Sequence, residues 1–262
     1  MDKIYHFIFG LSEDFNKKPF EYFHYLSIKS CYLTQQNPKI YMHYLYEPKD
    51  NQWWEKAKQF VELVKYHSLP DIVYYCNDKK VWRVEHQSDI FRLLVLKEHG
   101  GVYADIDTLF YKPFFPALDK DFVLGTEAIF HIGSNHWQVN GLCNALIISK
   151  KDSKFLDLWF DAYLCDYDDY DWNKMSVRKP FELSKIYPDL IQVEPVESFH
   201  KYDWNLDFYH EDIEGGDAGI YSKHMAESKV HNILKKISRQ SLLSQNSLFS
   251  NMCKNIKGLL DE

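Results

Sequence analysis

Residues 88–114 read SDIFRLLVLKEHGGVYADIDTLFYKPF, the most informative stretch of the chain. Apolar side chains recur at helical spacing over Gln87–His99, and Gly100-Gly101 can end that helix by adopting positive φ. Val102–Ala104 predicts a very short buried strand, and Asp105-Ile106-Asp107 stands at its end. A helix, a glycine stop, a strand and a carboxylate pair in this order predict a ligand site, because open α/β sheets bind ligands at the carboxyl ends of their strands.

The flanking sequence alternates between strand and helix patterns. Lys3–Phe9 (KIYHFIF) predicts a buried first strand, and the helix that follows extends from Pro19 to about Gln36. Lys39–Tyr46 predicts a second strand, Asn51–Tyr66 an amphipathic helix, and Ile72–Tyr75 a third strand. This alternation predicts an α/β domain with a mainly parallel sheet.

The composition limits the class of protein. The chain has 262 residues, 45% hydrophobic and 17% aromatic, which is enough to bury a large core. Its net charge of −7 makes a nucleic-acid partner a poor first guess. The five cysteines are scattered and form no CxxC, so a disulfide framework is not expected. The sequence shows no signal-peptide pattern and no membrane-spanning run, which favours the cytoplasm.

The last 34 residues differ in charge from the rest. Residues 229–262 hold six basic and two acidic side chains, with leucine and isoleucine interspersed. We therefore divide the chain into a domain of residues 1–228 and a basic amphipathic helical tail of residues 229–262. Two interpretations of the tail stay open: it packs on the core with a solvated face, or it contacts an anionic membrane surface.

Several acidic pairs match D-x-D, but only Asp105/Asp107 follows a strand. Paired carboxylates there suit Mg²⁺ or Mn²⁺, which also bind phosphate oxygens. The other pairs lie in polar, turn-like sequence and are interpreted as solvated surface: Asp119/Asp121, Asp166/Asp168 and Asp169/Asp171. Asp89 and Arg92 share a helix face at i, i+3. This pair is either a surface ion pair, or a site at which Arg92 binds phosphate and Asp89 binds sugar hydroxyls.

The spacing of these residues resembles the glycosyltransferases whose sugar-binding region contains a DXD motif. That group includes yeast initiating mannosyltransferases, bacterial capsule and lipopolysaccharide transferases and, more distantly, clostridial glucosylating toxins. The matching positions are Ser88, Asp89, Arg92, Leu96, Gly100, Gly101, Tyr103, Asp105, Asp107, Lys112 and Pro113.

Three flanking segments resemble the same family in the expected order. Lys3–Gly10 resembles its opening strand, so Phe7, Ile8 and Phe9 are candidate nucleotide contacts, although Phe9 stands where tryptophan is usual. Asn140–Ser149 resembles its N-A-x-I-x-S strand and makes Asn144 a candidate sugar contact. His224–Lys229 resembles its H-x-A-G-S-W segment, with Glu227 and Lys229 replacing Gly and Trp. It implies His224 as a metal ligand and Ser228 as a diphosphate contact, and Lys229 would add positive charge near the diphosphate.

The resemblance implies a GT-A fold and a metal-dependent retaining hexosyltransferase. Asp107 would bind Mn²⁺ or Mg²⁺ directly, while Asp105 would bond the ribose and reach the metal through water. Asp89, Arg92, Tyr103 and Asp105 would contact the donor, a nucleotide sugar such as UDP-galactose or UDP-glucose. The acceptor would be a saccharide or a lipid-linked saccharide in bacterial capsule, O-antigen or lipooligosaccharide synthesis, placing the enzyme in the bacterial cytoplasm or at the inner face of its membrane.

Two other functions compete with this one. Ala104–Leu109 superficially resembles the D-x-D-G-T motif of haloacid-dehalogenase-type phosphatases, which would use Asp105 and Asp107 differently, but the glycine is missing. The many aromatic side chains would also suit a non-enzymatic carbohydrate-binding module. A metal-binding motif beside Arg92 argues against that module.

Overall fold

The computed structural model describes residues 3–114, 119–131, 136–201, 206–212 and 217–261. The strands in chain order are β1 Ile4–Ile8, β2 Lys39–Tyr44, β3 Glu62–Lys65, β4 Tyr75–Cys76, β5 Lys79–Lys80, β6 Gly101–Ala104, β7 Thr108–Phe110, β8 Phe122–His131, β9 His136–Ser149, β10 Gln192–Glu194 and β11 Ser222–His224. The α-helices are Tyr22–Thr34, Gln52–Ala57, Asp71–Tyr74, Val84–His99, Lys154–Asp166, Lys179–Ile186, Val196–Phe199, Asp207–His210, Glu227–Leu234, Arg239–Ser244 and Leu248–Asn255.

A seven-stranded sheet of order β10-β8-β9-β6-β1-β2-β3 organises the described residues. Its strands are parallel apart from β9, which lies antiparallel to both β6 and β8. The α/β architecture with a mainly parallel sheet, and the GT-A fold that the family resemblance implies, are thereby confirmed. Two short antiparallel pairs, β7 with β11 and β4 with β5, lie outside this sheet.

The helix and glycine stop that precede the carboxylates form as predicted. The helix ends at His99, where the backbone N–H of Gly100 donates to the Leu96 carbonyl at 2.8 Å. Gly101 has φ +105°, and a Cβ there would lie 2.6 Å from the Ile4 carbonyl oxygen, so β6 needs glycine to pair with β1. The helix starts at Val84, three residues before the predicted start, and the Gln87 side chain donates to the Val81 carbonyl ahead of the helix at 3.0 Å.

Two predicted elements differ in the structure. The pattern over Asn51–Tyr66 divides into a helix, Gln52–Ala57, and strand β3, because the chain turns after Ala57 and pairs Glu62–Lys65 with β2. Ile72–Tyr75 is mostly helical: Asp71–Tyr74 forms one helical turn after Pro70. A short apolar run does not distinguish a buried strand from a buried helical turn, which explains the second error.

Apolar side chains from residues 229–261 belong to the same buried cluster as the sheet residues Tyr5 and Phe7. The tail members of that cluster are Val230, Leu234, Leu242, Leu248, Phe249, Met252, Cys253, Ile256, Leu259 and Leu260. The basic side chains of these helices are exposed. Within the part of the chain that the structure describes, no helix is both long enough and apolar enough to span a membrane.

Candidate active site

A cleft of about 260 Å³ opens where strands β1 and β6 end. Its position agrees with the prediction of a ligand site at the carboxyl ends of the strands. Most of the sequence-predicted site residues lie around it. The cleft is lined by Ile8, Lys18, Glu85, Ser88, Asp89, Arg92, Tyr103, Asp105, Ile106, Asp107, Glu127, Cys143, Asn144, Ala145, Trp172, Asn173, Ser176, Val177, His224, Glu227 and Ser228.

Arg92 is the centre of a buried polar network on one wall of the cleft. Its guanidinium lies 3.0 Å from a carboxylate oxygen of Asp89 and 3.0 Å from one of Asp105. It also donates to the Asn144 carbonyl at 2.8 Å, and the Asn144 amide donates to Asp89 at 2.7 Å. Arg92 is 4% exposed, so the interpretation of Asp89 and Arg92 as a surface ion pair is wrong.

The neighbours of Arg92 keep its guanidinium charged despite its burial. Burial alone would lower the pKa of Arg92, but Asp105, Tyr103 and Asp89 raise it, so the guanidinium stays charged. The Arg92 guanidinium also lies 4.5 Å from the centre of the Tyr103 ring, and the Tyr103 hydroxyl donates to Asp105 at 2.7 Å. Arg92 therefore holds Asp105 in place and is held in turn by Asp89.

Asp105, Asp107 and His224 form one potential set of metal ligands. One ligand atom from each lies within 4.8 Å of the others. His224 Nε2 is 3.4 Å from Asp107 and 4.0 Å from Asp105. Two carboxylates and an imidazole are donors that suit Mn²⁺ or Mg²⁺, so the residues fit the metal that the sequence predicts.

The two carboxyl groups differ in their electrostatics. Burial alone would raise the pKa of Asp107, but His224 and the backbone N–H of Glu227 lower it to about 2. Desolvation raises the pKa of Asp105 by more than Arg92 lowers it, and the neighbouring Asp107 raises it further. Asp107 is therefore the firmly ionised member of the pair, as expected of the residue predicted to bind a cation directly.

Backbone pairing explains why His224 meets residues that lie over a hundred positions earlier. Strand β11 pairs with β7, which places His224 opposite Thr108. The Met225 N–H then donates to the Asp107 carbonyl at 2.8 Å, and the Glu227 N–H donates to the Asp107 carboxylate at 2.7 Å. Ala226 takes φ +56° directly before the helix Glu227–Leu234, and the first two residues of that helix, Glu227 and Ser228, line the cleft.

An irregularity in the pairing of β8 with β9 presents Asn144. Leu124 is opposite Ile147, whereas the next residue, Gly125, is opposite Cys143. The intervening residues of β9 have no partner on β8, and Asn144 lies at the cleft wall while the Ala145 carbonyl accepts from the Asp105 N–H at 2.8 Å. A β-bulge next to a binding cleft commonly redirects a side chain in this way.

The remaining predicted residues divide into two groups. Ile8 and Ser228 line the cleft. Three other predicted residues, Phe7, Phe9 and Lys229, are not part of the cleft lining. Phe7 is fully buried against Phe110, and Lys229 is exposed. Phe9 packs among four rings, those of Phe15, Phe20, His24 and Trp54.

Glu227 lines the cleft and His24 contacts Glu227, and neither residue was a predicted site residue. A Glu227 carboxylate oxygen lies 3.5 Å from His24 Nε2, and the other lies 3.0 Å from His231 and 3.9 Å from Lys18. Glu227 was noticeable only as a departure from the glycine of the family segment. Glu127, 6% exposed in the cleft wall, was missed too, because no motif surrounds it.

The sheet order and the carboxylate pair that follows β6 are the arrangement expected of a glycosyltransferase of the GT-A type. Residues 21–126 match the family described as "Glycosyltransferase sugar-binding region containing DXD motif". The "Glucan organizing enzyme 1" of Cryptococcus neoformans var. grubii is 30% identical over 267 residues, covering 98% of this chain and 71% of that protein. The chain belongs to the DXD glycosyltransferase family, as its sequence resemblance predicted.

Two solved structures resemble the chain more distantly. "PaToxG Glycosyltransferase" is 20% identical over 72% of this chain and 70% of its own, with a TM-score of 0.44. The apo form of the glycosyltransferase GlyE of Streptococcus pneumoniae TIGR4 is 10% identical over 99% of this chain and 62% of its own, with a TM-score of 0.45. At these scores the likeness is partial, and the assignment depends on the sequence relative.

Proposed function

We propose that the protein is a metal-dependent retaining glycosyltransferase that moves a hexose from a nucleotide diphosphate sugar to a hydroxyl group of a saccharide. The observation that carries the proposal is the convergence of Asp89, Arg92, Asp105, Asp107 and His224 on one cleft. Neither a surface ion pair nor a solvated D-x-D would require the burial and cross-linking of these residues.

The first part of the proposal concerns the metal. Asp107 and His224 would hold Mn²⁺ or Mg²⁺, with Asp105 beside them, and the cation would neutralise the donor diphosphate so that it leaves more readily. The low pKa of Asp107, about 2, keeps this carboxylate ionised at any physiological pH. His224 is oriented for the same role by the pairing of β11 with β7.

The second part concerns the donor. The helix Glu227–Leu234 directs its N-terminus at the cleft, and such N-termini favour phosphate oxygens. Ser228 at that terminus supplies a hydroxyl, and Lys18 supplies a positive charge at the cleft rim. Lys229 follows Ser228 at the protein surface and would attract the diphosphate from there.

The third part concerns the sugar and the base. Asp89 and Asn144, bonded to one another at 2.7 Å, would together bind sugar hydroxyls, while Arg92 holds the Asp89 carboxylate in place. Asp105, with Tyr103 bonded to it, would contact the ribose. Ile8 lines the cleft and would contact the nucleobase. Phe7 and Phe9 would then act by packing around this strand instead of by touching the nucleotide.

The proposed donor and acceptor are inferred from the family resemblance and from the name of the relative. UDP-glucose or UDP-galactose is the proposed donor, and the word glucan in the relative's name favours glucose. A saccharide or lipid-linked saccharide of a capsule, O-antigen or lipooligosaccharide is the proposed acceptor. The exposed basic side chains of residues 229–261 would support a location at the inner face of a bacterial cytoplasmic membrane. Retention predicts an α-linked product from an α-linked donor.

Hydrolysis of a panel of nucleotide sugars, with and without Mn²⁺, tests the proposal. We expect metal-dependent turnover of a UDP-hexose and a loss of about 10²–10³-fold in Asp107→Asn, as for loss of a group that stabilises charge in the transition state. Asp121→Asn is the matched control, because Asp121 pairs with Lys150 on the surface. Hydrolysis of a phosphomonoester without turnover of any nucleotide sugar would instead identify a phosphatase. The anomeric proton coupling of a transfer product reports retention.

A further inference from the structure

A second group of metal-ligating side chains lies next to the carboxylate set. Cys143, His200 and His224 each present one ligand atom within 4.8 Å of the others. Cys143 is 5% exposed and lines the cleft, and His200 is 1% exposed. His224 is common to this group and to the group that contains Asp105 and Asp107.

Three elements far apart in sequence bring these residues together. Cys143 lies on β9 opposite Gly125 of β8, at the irregularity that also presents Asn144. His200 directly follows the helix Val196–Phe199, and its ring meets that of His224 edge to face at 6.3 Å. A Cβ at position 125 would lie 2.7 Å and 2.9 Å from atoms of the His200 ring, so glycine there leaves the room that the imidazole occupies.

We propose that Cys143, His200 and His224 form a second metal site, selective for a thiophilic divalent cation such as Zn²⁺. One thiolate and two imidazoles are the donor set of open tetrahedral zinc sites, in which water takes the fourth position. Ligand atoms on one tetrahedral Zn²⁺ are about 3.5 Å apart, so the site closes with side-chain movements of about 1 Å. Binding converts the Cys143 thiol to a thiolate and releases its proton to solvent.

Sharing His224 couples the two metal sites, and this consequence rests on the proposed function. Oxygen-rich ligands suit Mn²⁺ or Mg²⁺, whereas sulfur and imidazole suit Zn²⁺. A Zn²⁺ ion on Cys143, His200 and His224 withdraws the imidazole from Asp107. Zn²⁺ bound there would therefore inhibit the Mn²⁺-dependent transferase by removing one ligand of its metal.

Cobalt binding to the full chain tests the site without any assay of activity. A cysteine thiolate bound to Co²⁺ gives a charge-transfer absorption band in the near ultraviolet, and we expect this band in the unaltered protein. The variant Cys165→Ser is the control and should keep the band, because Cys165 is exposed and distant in sequence from the cluster. Cys143→Ser should abolish the band, and His200→Asn should weaken Zn²⁺ binding in equilibrium dialysis. Loss of an outer-shell partner costs 10–100-fold in metal affinity, so we expect at least about 100-fold for loss of a direct ligand.

The possible results separate this proposal from the proposed function. No band in the unaltered protein, or an equal band in Cys143→Ser with an unchanged circular dichroism spectrum, overturns the second site. A band that depends on Cys143 supports it, even if no nucleotide sugar is turned over and the proposed function fails. Where turnover is observed, each protein's rate is normalised to its own rate without zinc. The Zn²⁺ concentration that halves this rate should be at least about tenfold higher for Cys143→Ser than for the unaltered protein. An unchanged concentration overturns the coupling through His224.

Discussion

Replacing the buried Arg92 by methionine should destabilise the protein far more than the same replacement of an exposed arginine in the same region of the sequence. The substitution retains the apolar part of the side chain but removes the cation from between Asp89 and Asp105, each 3.0 Å away. Removing one partner of a buried ion pair costs about 3–5 kcal/mol, because the other charge stays desolvated and uncompensated. With a urea m-value of about 3 kcal/mol per molar, the denaturation midpoint should fall by about 1–1.7 M.

Arg83 provides the matched control at the start of the same helix. It is about half exposed and lies 4.0 Å from Asp169, so Arg83→Met should cost less than about 1 kcal/mol. The loss in Arg92→Met should also shrink between pH 7 and pH 5. Without the guanidinium the pKa of Asp105, already raised by desolvation, rises further, and the folded variant then gains stability by binding a proton.

A double-mutant cycle identifies which carboxylate causes the loss. Arg92→Met combined with Asp105→Asn should be more stable than the sum of the single changes predicts, by about 1 kcal/mol or more, because the uncompensated charge is gone. The reasoning is refuted if Arg92→Met and Arg83→Met lower the free energy of unfolding equally. It is also refuted if the cost of Arg92→Met is the same at pH 5 as at pH 7.

Three further changes test the fold. The buried His6–His43 pair should make the protein less stable in acid, because desolvation lowers the pKa of His6 to about 4 and that of His43 to about 3. Between pH 7.5 and pH 5 only the unfolded chain, in which both pKa values are near 6.5, binds these protons, so the free energy of unfolding should fall by up to ~4 kcal/mol. Urea denaturation measures this loss, and a free energy of unfolding that does not change with pH would contradict it. Gly101→Ala should lower the free energy of unfolding by more than about 2 kcal/mol, because it adds a 2.6 Å backbone clash to an unfavourable φ. Gly258→Ala is the control and should cost less, because Gly258 has φ +84° but no atom closer than 3.8 Å to the added Cβ. Equal decreases in Tm for the two variants would contradict this reasoning. Phe249→Ala should cost about 3–5 kcal/mol in urea denaturation, since Phe249 packs on Phe208 and Tyr209, while a loss below 1 kcal/mol would mean that the tail is merely appended.

The site was more predictable from sequence than the path of the chain around it. Asp105, Asp107, Arg92 and Gly101 follow a dense local pattern, because a glycine stop, a short strand and a turn fix one another's positions within a few residues. The division of Asn51–Tyr66 into a helix and an edge strand was not predictable in this way. Its second half is defined by pairing with β2, which helical periodicity does not report.

Long-range contacts explain what the sequence could not supply. His224 was found only through family resemblance, since its approach to Asp107 depends on the pairing of β11 with β7. Cys143 and His200 had no such resemblance. Their proximity depends on an irregular strand pairing and on the absence of a side chain at Gly125, and neither leaves a pattern along the chain.

Glu227 stands where the family segment has glycine, and the structure shows how this side chain fits beside Asp107. Its backbone N–H donates to Asp107, which is a contact that glycine would also make, so the substitution leaves that bond intact. Its side chain adds a negative charge that His24, His231 and Lys18 surround. Burial would raise the pKa of Glu227, but the neighbouring His24 and Lys18 lower it. The added carboxylate is therefore ionised, and Lys18, His24 and His231 hold it in place beside the cleft.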